Sequence, residues 1–156
     1  MTDLSLHRPN VGVVLFHRDG RVWYGRRANT PGPHNWQFPQ GGVDDGEDYE
    51  AAARRELAEE TGVTSIEPLA EIAQWVAYDF PPGVAPKPGR DWRGQKQKWF
   101  AFRFTGDESE IDLEQHGDIE FDAWRWGRLD EAPDLVVPFK RKAYEQVVAA
   151  FAPLVI

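Results

Sequence analysis

Three glutamates near the middle of the chain, Glu56, Glu59 and Glu60, have the spacing of one helix face. On an α-helix, residues three and four positions apart lie side by side, so these carboxylates would converge. On an exposed helix such crowding costs only about 0.2–0.5 kcal/mol per pair, and a solvated acidic surface is one interpretation. In a cleft, two carboxylates about 6 Å apart repel by roughly 3 kcal/mol at an effective dielectric near 20. A divalent cation relieves that repulsion, and hard oxygen ligands favour Mg²⁺, with Mn²⁺ or another divalent ion as a substitute.

The helix that must carry these glutamates is predicted over residues 47–60. It opens with an acidic first turn at Glu47-Asp48 and continues through an alanine run that favours a helix. Gly62 stands where a left-handed C-terminal cap belongs. Arg55 precedes Glu59 by four residues and is therefore placed to donate a hydrogen bond to that carboxylate.

Strands are predicted on both sides of this helix, because apolar residues alternate or run together between turn residues. The predicted strands are residues 11–16, 21–26, 36–38, 66–78 (as one or two strands), 96–104 and 123–126. Loops are predicted at 29–35, at 80–93 as a lid or ligand rim, and at 107–118 as an acidic turn region. A closing helix at 138–151 carries an apolar helical stripe. This order predicts an α/β fold in which a mixed sheet lies between helices, within one domain spanning residues 1–156.

The composition excludes several classes of site and partner. With no cysteine among 156 residues, the chain has no disulfide, thiolate metal site or cysteine nucleophile. It has no signal peptide and no apolar run long enough for a membrane span, which predicts a cytoplasmic protein without a membrane partner. The net charge of −8 argues against a DNA duplex. Residues 87–105 nevertheless carry six basic side chains against Asp91, which suits a short anionic ligand held between a basic rim and a metal-filled acidic site.

Residues 41–63 follow the pattern G-x5-E-x7-R-E-U-x-E-E-x-G-U, where U is a bulky aliphatic residue. The matching positions are Gly41, Glu47, Arg55, Glu56, Leu57, Glu59, Glu60, Gly62 and Val63. This stretch resembles the signature of the Nudix hydrolases, whose fold is an α/β/α sandwich. The resemblance implies hydrolysis of a nucleoside diphosphate linked to another group. It also implies that three glutamates and the Gly41 carbonyl bind metal, that Arg55 orients the site, and that one glutamate, foremost Glu56, activates the attacking water.

Blocks outside the signature resemble a bacterial branch of this family, the RNA 5′-pyrophosphohydrolases, also described as dinucleoside polyphosphate hydrolases. These blocks are residues 8–12 (RPNVG), 36–42 (WQFPQGG), 94–100 (GQKQKWF), 120–126 (EFDAWRW) and 139–141 (FKR). The resemblance implies that Glu120 is a further metal ligand, delivered from a loop. It assigns phosphate contacts to Arg8, Gln95 and Lys140. It implies that Arg27, Val137 and Phe139 bind the base of the second nucleotide.

Taken without the resemblance, several of these residues have plainer interpretations. Glu120 fits a solvated turn, Phe139 fits a core position, and Arg8 and Lys140 fit ordinary surface charges. The four histidines show no ligand spacing and are interpreted as structural or surface residues. His7 stands where the related sequences often place tyrosine.

The predicted activity is metal-dependent removal of pyrophosphate from the 5′-triphosphate end of RNA. The alternative is hydrolysis of diadenosine tetraphosphate and related dinucleoside polyphosphates, which would use the same metals. A third hypothesis is a nucleotide-sensing module that has lost catalysis, and the intact Arg55–Glu60 core argues against it. The sequence carries no signal for the preferred base or the oligomeric state.

Overall fold

The computed structural model describes residues 3–83, 92–114 and 118–155. Within these residues the strands are β1 (His7–Phe16), β2 (Val22–Arg27), β3 (Trp36–Gln37), β4 (Gln40–Gly42), β5 (Ile66–Glu71), β6 (Val76–Asp79), β7 (Gly94–Phe104) and β8 (Phe121–Gly127). The helices are α1 (Tyr49–Thr61), α2 (Ala132–Leu135) and α3 (Arg141–Phe151), with 3₁₀ turns at Glu108–Glu110, Leu129–Glu131, Pro138–Lys140 and Ala152–Leu154. Parts of two predicted loops, residues 84–91 and 115–117, lie outside the described residues, as does His116.

The strands form one mixed sheet with β1 and β7 side by side at its centre. These two strands pair in parallel from His7 with Gly94 to Phe16 with Arg103. Strands β5 and β6 pair antiparallel with β7, and β2 and β4 pair antiparallel with β1. Strands β3 and β8 pair antiparallel with β2. The predicted mixed sheet is confirmed, and the region at 66–78 forms two of its strands.

The sheet has an apolar core on each face, because successive strand side chains point in opposite directions. Against α1 lie Val11, Val13, Leu15, Phe100, Phe102 and Phe104, packed with Ala52, Ala53 and Leu57. Against α3 lie Val14, Phe16, Trp99 and Ala101, packed with Tyr144, Val147 and Phe151. The α/β/α prediction is therefore confirmed. None of the helices in the described part of the chain is long and apolar enough to span a bilayer.

The signature helix is fixed at both ends. Asp48 is its N-cap, and the Asp48 carboxylate accepts a hydrogen bond from the Ala51 amide at 3.1 Å. Gly62 ends it with a φ of 81°, as predicted, and its amide donates to the Ala58 carbonyl at 2.8 Å. The helix begins at Tyr49, two residues later than predicted, because Asp48 caps it and Glu47 is left outside. With its apolar side packed on the sheet, α1 presents its glutamates along β4.

Candidate active site

Arg55 connects α1 to the loop that precedes it. Its Nε and Nη2 donate to the two carboxylate oxygens of Glu47, each at 2.9 Å. Its Nη1 donates to Oε1 of Glu56 at 2.8 Å, and its Nη2 also donates to the Gly42 carbonyl at 2.9 Å. The predicted contact with Glu59 exists but is longer, at 3.3 and 3.4 Å. Hydrogen bonding from Arg55 lowers the pKa of Glu47 to about 2, so the guanidinium has a permanently ionised partner and holds Glu56 in place.

Gly41 lies directly against the Glu56 carboxylate. A Cβ atom at position 41 would lie 2.0 Å from both Cδ and Oε2 of Glu56, which no side chain tolerates. Gly41 sits in β4, where it pairs with Val11 of β1, so the sheet fixes its position. Glycine is therefore required here for close approach of the backbone to a carboxylate.

Replacing Gly41 by alanine is expected to displace Glu56 and to lower kcat by about 10²-fold, because small misplacements at a reacting centre are that costly. Steady-state kinetics on a variant with the wild-type melting temperature would measure this effect. If the loss acts through Glu56, adding Gly41→Ala to Glu56→Gln should cause little further loss. Wild-type kcat in a folded Gly41→Ala variant would contradict the expectation.

Glu60 is the most buried of the predicted carboxylates, with 8% of the residue exposed. Its Oε1 accepts a hydrogen bond from the backbone N–H of Gln40 at 3.3 Å. Its Oε2 is buried without a partner among the described residues. Burial raises the pKa of Glu60 well above its ordinary value, and the charges of Glu120 and Glu56 raise it further. Burial also raises the pKa of Glu56, which the neighbouring Arg55 partly offsets. The charge of Lys140 lowers the pKa of Glu60, but Glu60 forms no ion pair among the described residues, so its ionised form is poorly compensated.

Glu59 and Glu120 border the same cleft from its solvent side. The Glu59 side chain is 45% exposed. Glu120 is exposed in the loop before β8, where its carbonyl accepts a hydrogen bond from the Ala28 amide at 2.9 Å. Within the described ranges, no group of three histidine, aspartate or glutamate side chains is already gathered as a metal would need. The residues fit a hard divalent cation through their oxygen donors and through the unpartnered Oε2 of Glu60.

Replacing Glu120 by alanine is expected to raise the divalent-metal concentration needed for half-maximal activity by about tenfold or more, as for loss of a group that supports a metal site. The reason is electrostatic: the effect of Glu120 on the pKa of Glu56 and of Glu60 shows that the three charges act on the same space, and the variant removes one negative charge that would attract the cation there. Metal titration of activity measures this shift. Asp122→Ala is a matched control, because this exposed carboxylate two residues away is paired with Arg26 at 2.7 Å. An unchanged titration curve for Glu120→Ala would return Glu120 to the solvated-turn interpretation.

Two cavities adjoin each other. The first, of about 690 Å³, contains the signature carboxylates. The second, of about 250 Å³, is bordered by basic and aromatic side chains. Arg8, Gln40 and Gln95 border both cavities and so form the boundary between them. The first cavity is lined by Arg8, Asn10, Gln40, Gly41, Gly42, Val43, Asp44, Glu56, Glu59, Glu60, Gln95, Asp118 and Glu120.

The predicted substrate-binding residues meet in the second cavity, with one exception. Those that line it are Arg8, Arg27, Gln95, Phe139 and Lys140. The structure thus brings together residues from β1, β2, β7 and the turn before α3. Val137 borders neither cavity and packs against the core on the α3 side. Its contact with a base stays a prediction.

Lys140 is not the ordinary surface charge that one interpretation of the sequence suggested. It is 6% exposed, and its Nζ donates to Oε1 of Gln40 at 3.3 Å. The Nζ also lies 5.7 Å from the ring centroid of Tyr78, within cation–π range. Burial lowers the pKa of Lys140 to about 8, and the nearby Arg27 contributes to this shift. Within the described residues Lys140 forms no ion pair, and the charges of Glu60 and Glu120 only partly offset the cost of its burial, which favours an anion in the cavity beside it.

Sequence reasoning missed a group of polar residues between the two cavities. Gln40 connects the two cavities, because its backbone N–H donates to Glu60 and its side-chain Oε1 accepts from Lys140. Tyr78 donates its hydroxyl proton to Gln95 at 2.7 Å, and burial raises the pKa of Tyr78 to about 12. The fully buried Gln97 lies two residues from Gln95 on β7. Glutamines at alternate positions of a buried strand are the one signal that marks this row, since buried amides need partners.

The model of the NUDIX domain matches residues 6–147, which is most of the chain. The chain belongs to the Nudix family. An RNA pyrophosphohydrolase of Caulobacter vibrioides is 70% identical to this Nudix protein over 155 residues, which cover 97% of this chain and 90% of the relative. An RNA pyrophosphohydrolase of Rhodopseudomonas palustris is 52% identical over 159 residues, covering 95% and 89% of the two chains.

Solved structures share the fold at much lower sequence identity. An Ap4A hydrolase of C. elegans superimposes with a TM-score of 0.60 at 19% identity, covering 92% of this chain and 98% of the other. The E. coli dihydroneopterin triphosphate pyrophosphohydrolase gives a TM-score of 0.64 at 23% identity, covering 91% and 95%. These likenesses confirm the predicted Nudix fold.

Proposed function

We propose that this Nudix enzyme hydrolyses a phosphoric anhydride bond and removes pyrophosphate from the 5′-triphosphate end of RNA. The observation that carries the proposal is the 70% identity, over nearly the full length of both chains, with a protein named RNA pyrophosphohydrolase. The cleft supports it, because an acidic cavity adjoins a basic and aromatic one. In the RNA substrate, a 5′-triphosphate is followed by nucleotides. The acidic cavity with its cations would receive the triphosphate, and the adjoining cavity would receive the base that follows.

The acidic cavity holds the phosphates only together with cations. Nudix hydrolases generally use divalent metals, and we propose Mg²⁺, or Mn²⁺ in its place, as the ion here. Its ligands would be Glu56, Glu59, Glu60, Glu120 and the Gly41 carbonyl. When bound, the ion neutralises phosphate charge and acidifies water. On the other side of the polyphosphate, Arg8, Gln95 and Lys140 donate to phosphate oxygens.

Glu56 has the features that proton transfer requires. Its pKa is raised by burial, which makes the carboxylate a better proton acceptor. Arg55 holds its Oε1 at 2.8 Å, the Gly41 backbone packs against its Oε2, and the side chain lines the acidic cavity. Glu56 takes the proton of the attacking water as the water oxygen bonds to phosphorus. The anhydride P–O bond then breaks, and its electron pair leaves with the departing phosphate oxygen.

The second cavity accepts the base of the nucleotide that follows the triphosphate. Phe139 offers a ring face and Arg27 a guanidinium, both on the cavity wall. The same pair also fits one nucleoside of a dinucleoside polyphosphate, which is the second candidate substrate. The two substrates differ in their products: RNA gives pyrophosphate and a 5′-monophosphorylated end, whereas the dinucleotide gives two mononucleotides.

The proposal is tested by offering triphosphate RNA and diadenosine tetraphosphate together and by analysing the products. The expected result is preferential conversion of the RNA to its 5′-monophosphate form with release of pyrophosphate. A Glu56→Gln variant in parallel identifies any contaminating hydrolase. Preference for the dinucleotide would establish the second candidate, and cleavage of neither in the presence of Mg²⁺ or Mn²⁺ would overturn both.

A further inference from the structure

A buried histidine of β1 and an aspartate of β6 contact each other, each one residue away along its strand from a residue that lines the second cavity. His7 is 3% exposed, and its Nε2 lies 2.6 Å from Oδ1 of Asp79. Arg93 donates from Nε to Oδ2 of the same carboxylate at 2.9 Å. Hydrogen bonding from His7 holds the pKa of Asp79 below its ordinary value, so the carboxylate is the acceptor and Nε2 carries the proton. We call this pair the His7–Asp79 clasp.

The clasp spans three strands across a glycine. In the sheet register, His7 pairs with Gly94 of β7, and Gly94 pairs with Asp79 of β6. A Cβ atom at Gly94 would lie 1.9 Å from the Tyr78 carbonyl oxygen, so glycine alone lets β6 approach this closely. The side chains of His7 and Asp79 therefore meet across a position that has none.

The next row of the sheet is a row of cavity residues. Arg8, Gln95 and Tyr78 are the strand neighbours of the three residues just described. In the sheet register Arg8 pairs with Gln95, and Gln95 pairs with Tyr78. All three line the second cavity, and the Tyr78 hydroxyl donates to Gln95 at 2.7 Å. Because neighbouring strand residues point to opposite faces, the clasp lies behind the face that carries this row. The clasp touches neither the cavity nor the signature carboxylates.

We propose that the His7–Asp79 clasp is a positioning device that holds Arg8, Gln95 and Tyr78 where they contact the substrate polyphosphate. The inference rests on the proposed function in that Arg8 and Gln95 bind phosphates. It predicts an effect on substrate binding and little effect on the chemical step, since Arg55, Glu56 and Glu60 lie outside the clasp. A merely stabilising pair would instead lower the melting temperature and leave KM unchanged.

The test is a double-mutant cycle read in KM and kcat separately. His7→Ala and Asp79→Ala should each raise KM by about tenfold, with kcat within about twofold of wild type. The double variant should lose no more than Asp79→Ala alone, because Asp79→Ala already removes the hydrogen bond that His7→Ala removes, together with the contact with Arg93. His7→Gln keeps an N–H donor and should have a KM close to the wild-type value. Asp79→Asn keeps the acceptor oxygen and should behave in the same way. These two variants are used if the alanine variants fold poorly.

The chain offers a matched control at the other end of β1, where His17 and Asp19 form an exposed pair with Nδ1 and Oδ1 3.0 Å apart. His17→Ala should leave KM unchanged. Additive losses in the cycle, an unchanged KM, or a His7→Gln variant as impaired as His7→Ala would each overturn the proposal. If the wild-type enzyme spares triphosphate RNA, the proposed function fails, and the clasp is then tested with diadenosine tetraphosphate, whose phosphates need the same row.

Discussion

Replacing Glu60 by glutamine is expected to lower kcat by at least about 10²-fold while the fold survives, and Glu56→Gln should do the same. Glutamine keeps the shape of each side chain and the acceptor oxygen that the Gln40 amide uses at position 60. It removes the charge that would hold a divalent cation or accept a proton from water. Steady-state kinetics at saturating metal, with melting temperatures recorded on the same samples, measures the effect.

Glu50→Gln is the matched control for these variants. Glu50 lies on the same helix, but its carboxylate is paired with Arg54 at 3.2 Å and does not border the acidic cavity. The kcat of the Glu50→Gln variant should remain at the wild-type level. Full turnover by a folded Glu60→Gln variant would remove Glu60 from the metal site.

Replacing Phe139 by alanine is expected to impair hydrolysis of triphosphate RNA more than hydrolysis of a mononucleoside triphosphate. RNA has a second base to stack on the ring, and the mononucleotide has none. One stacked base is worth roughly 1–3 kcal/mol, so the selective loss in kcat/KM should lie between about 5-fold and 150-fold. Arg27→Ala should show the same bias more weakly, and Arg8→Ala should penalise both substrates alike.

The structure adds a requirement to this experiment, because Phe139 also packs against the core and its ring lies 5.7 Å from that of Tyr78. Leu135→Ala controls for lost packing: Leu135 contacts the same core but borders neither cavity. Phe139→Leu keeps apolar bulk without a stacking face and should share the RNA-selective loss. Equal losses on both substrates in a Phe139→Ala protein of wild-type stability would make Phe139 a core residue.

Features that depend on residues close together in the chain could be predicted from the sequence alone. Spacing alone predicts α1, and its left-handed end at Gly62 follows from residue type. Alternation of Phe100, Phe102 and Phe104 predicts a strand with one buried face, and the structure packs that face on α1. These features are readable because their causes, helix periodicity and strand pleating, act within a few residues.

Contacts between distant residues were not readable in this way. The principal partner of Arg55 is Glu47, which lies outside the helix and so escapes any argument from helical spacing. Lys140 is buried because β4 and β6 bring Gln40 and Tyr78 against it. The His7–Asp79 clasp joins residues 72 positions apart. For Lys140 and for the clasp, the sheet register decides which side chains meet, and register depends on the whole fold.

The unpartnered oxygen of Glu60 also has a consequence for folding thermodynamics. Because the folded-state pKa of Glu60 is raised, its contribution to stability is full below the unfolded pKa and is lost as pH rises through the folded value. Above the ordinary carboxylate range of pH, Glu60 therefore makes the metal-free fold less stable than it is in acid. A cation that binds only the folded chain shifts the unfolding equilibrium by mass action, so the resistance of this enzyme to heat becomes a function of free divalent-ion concentration.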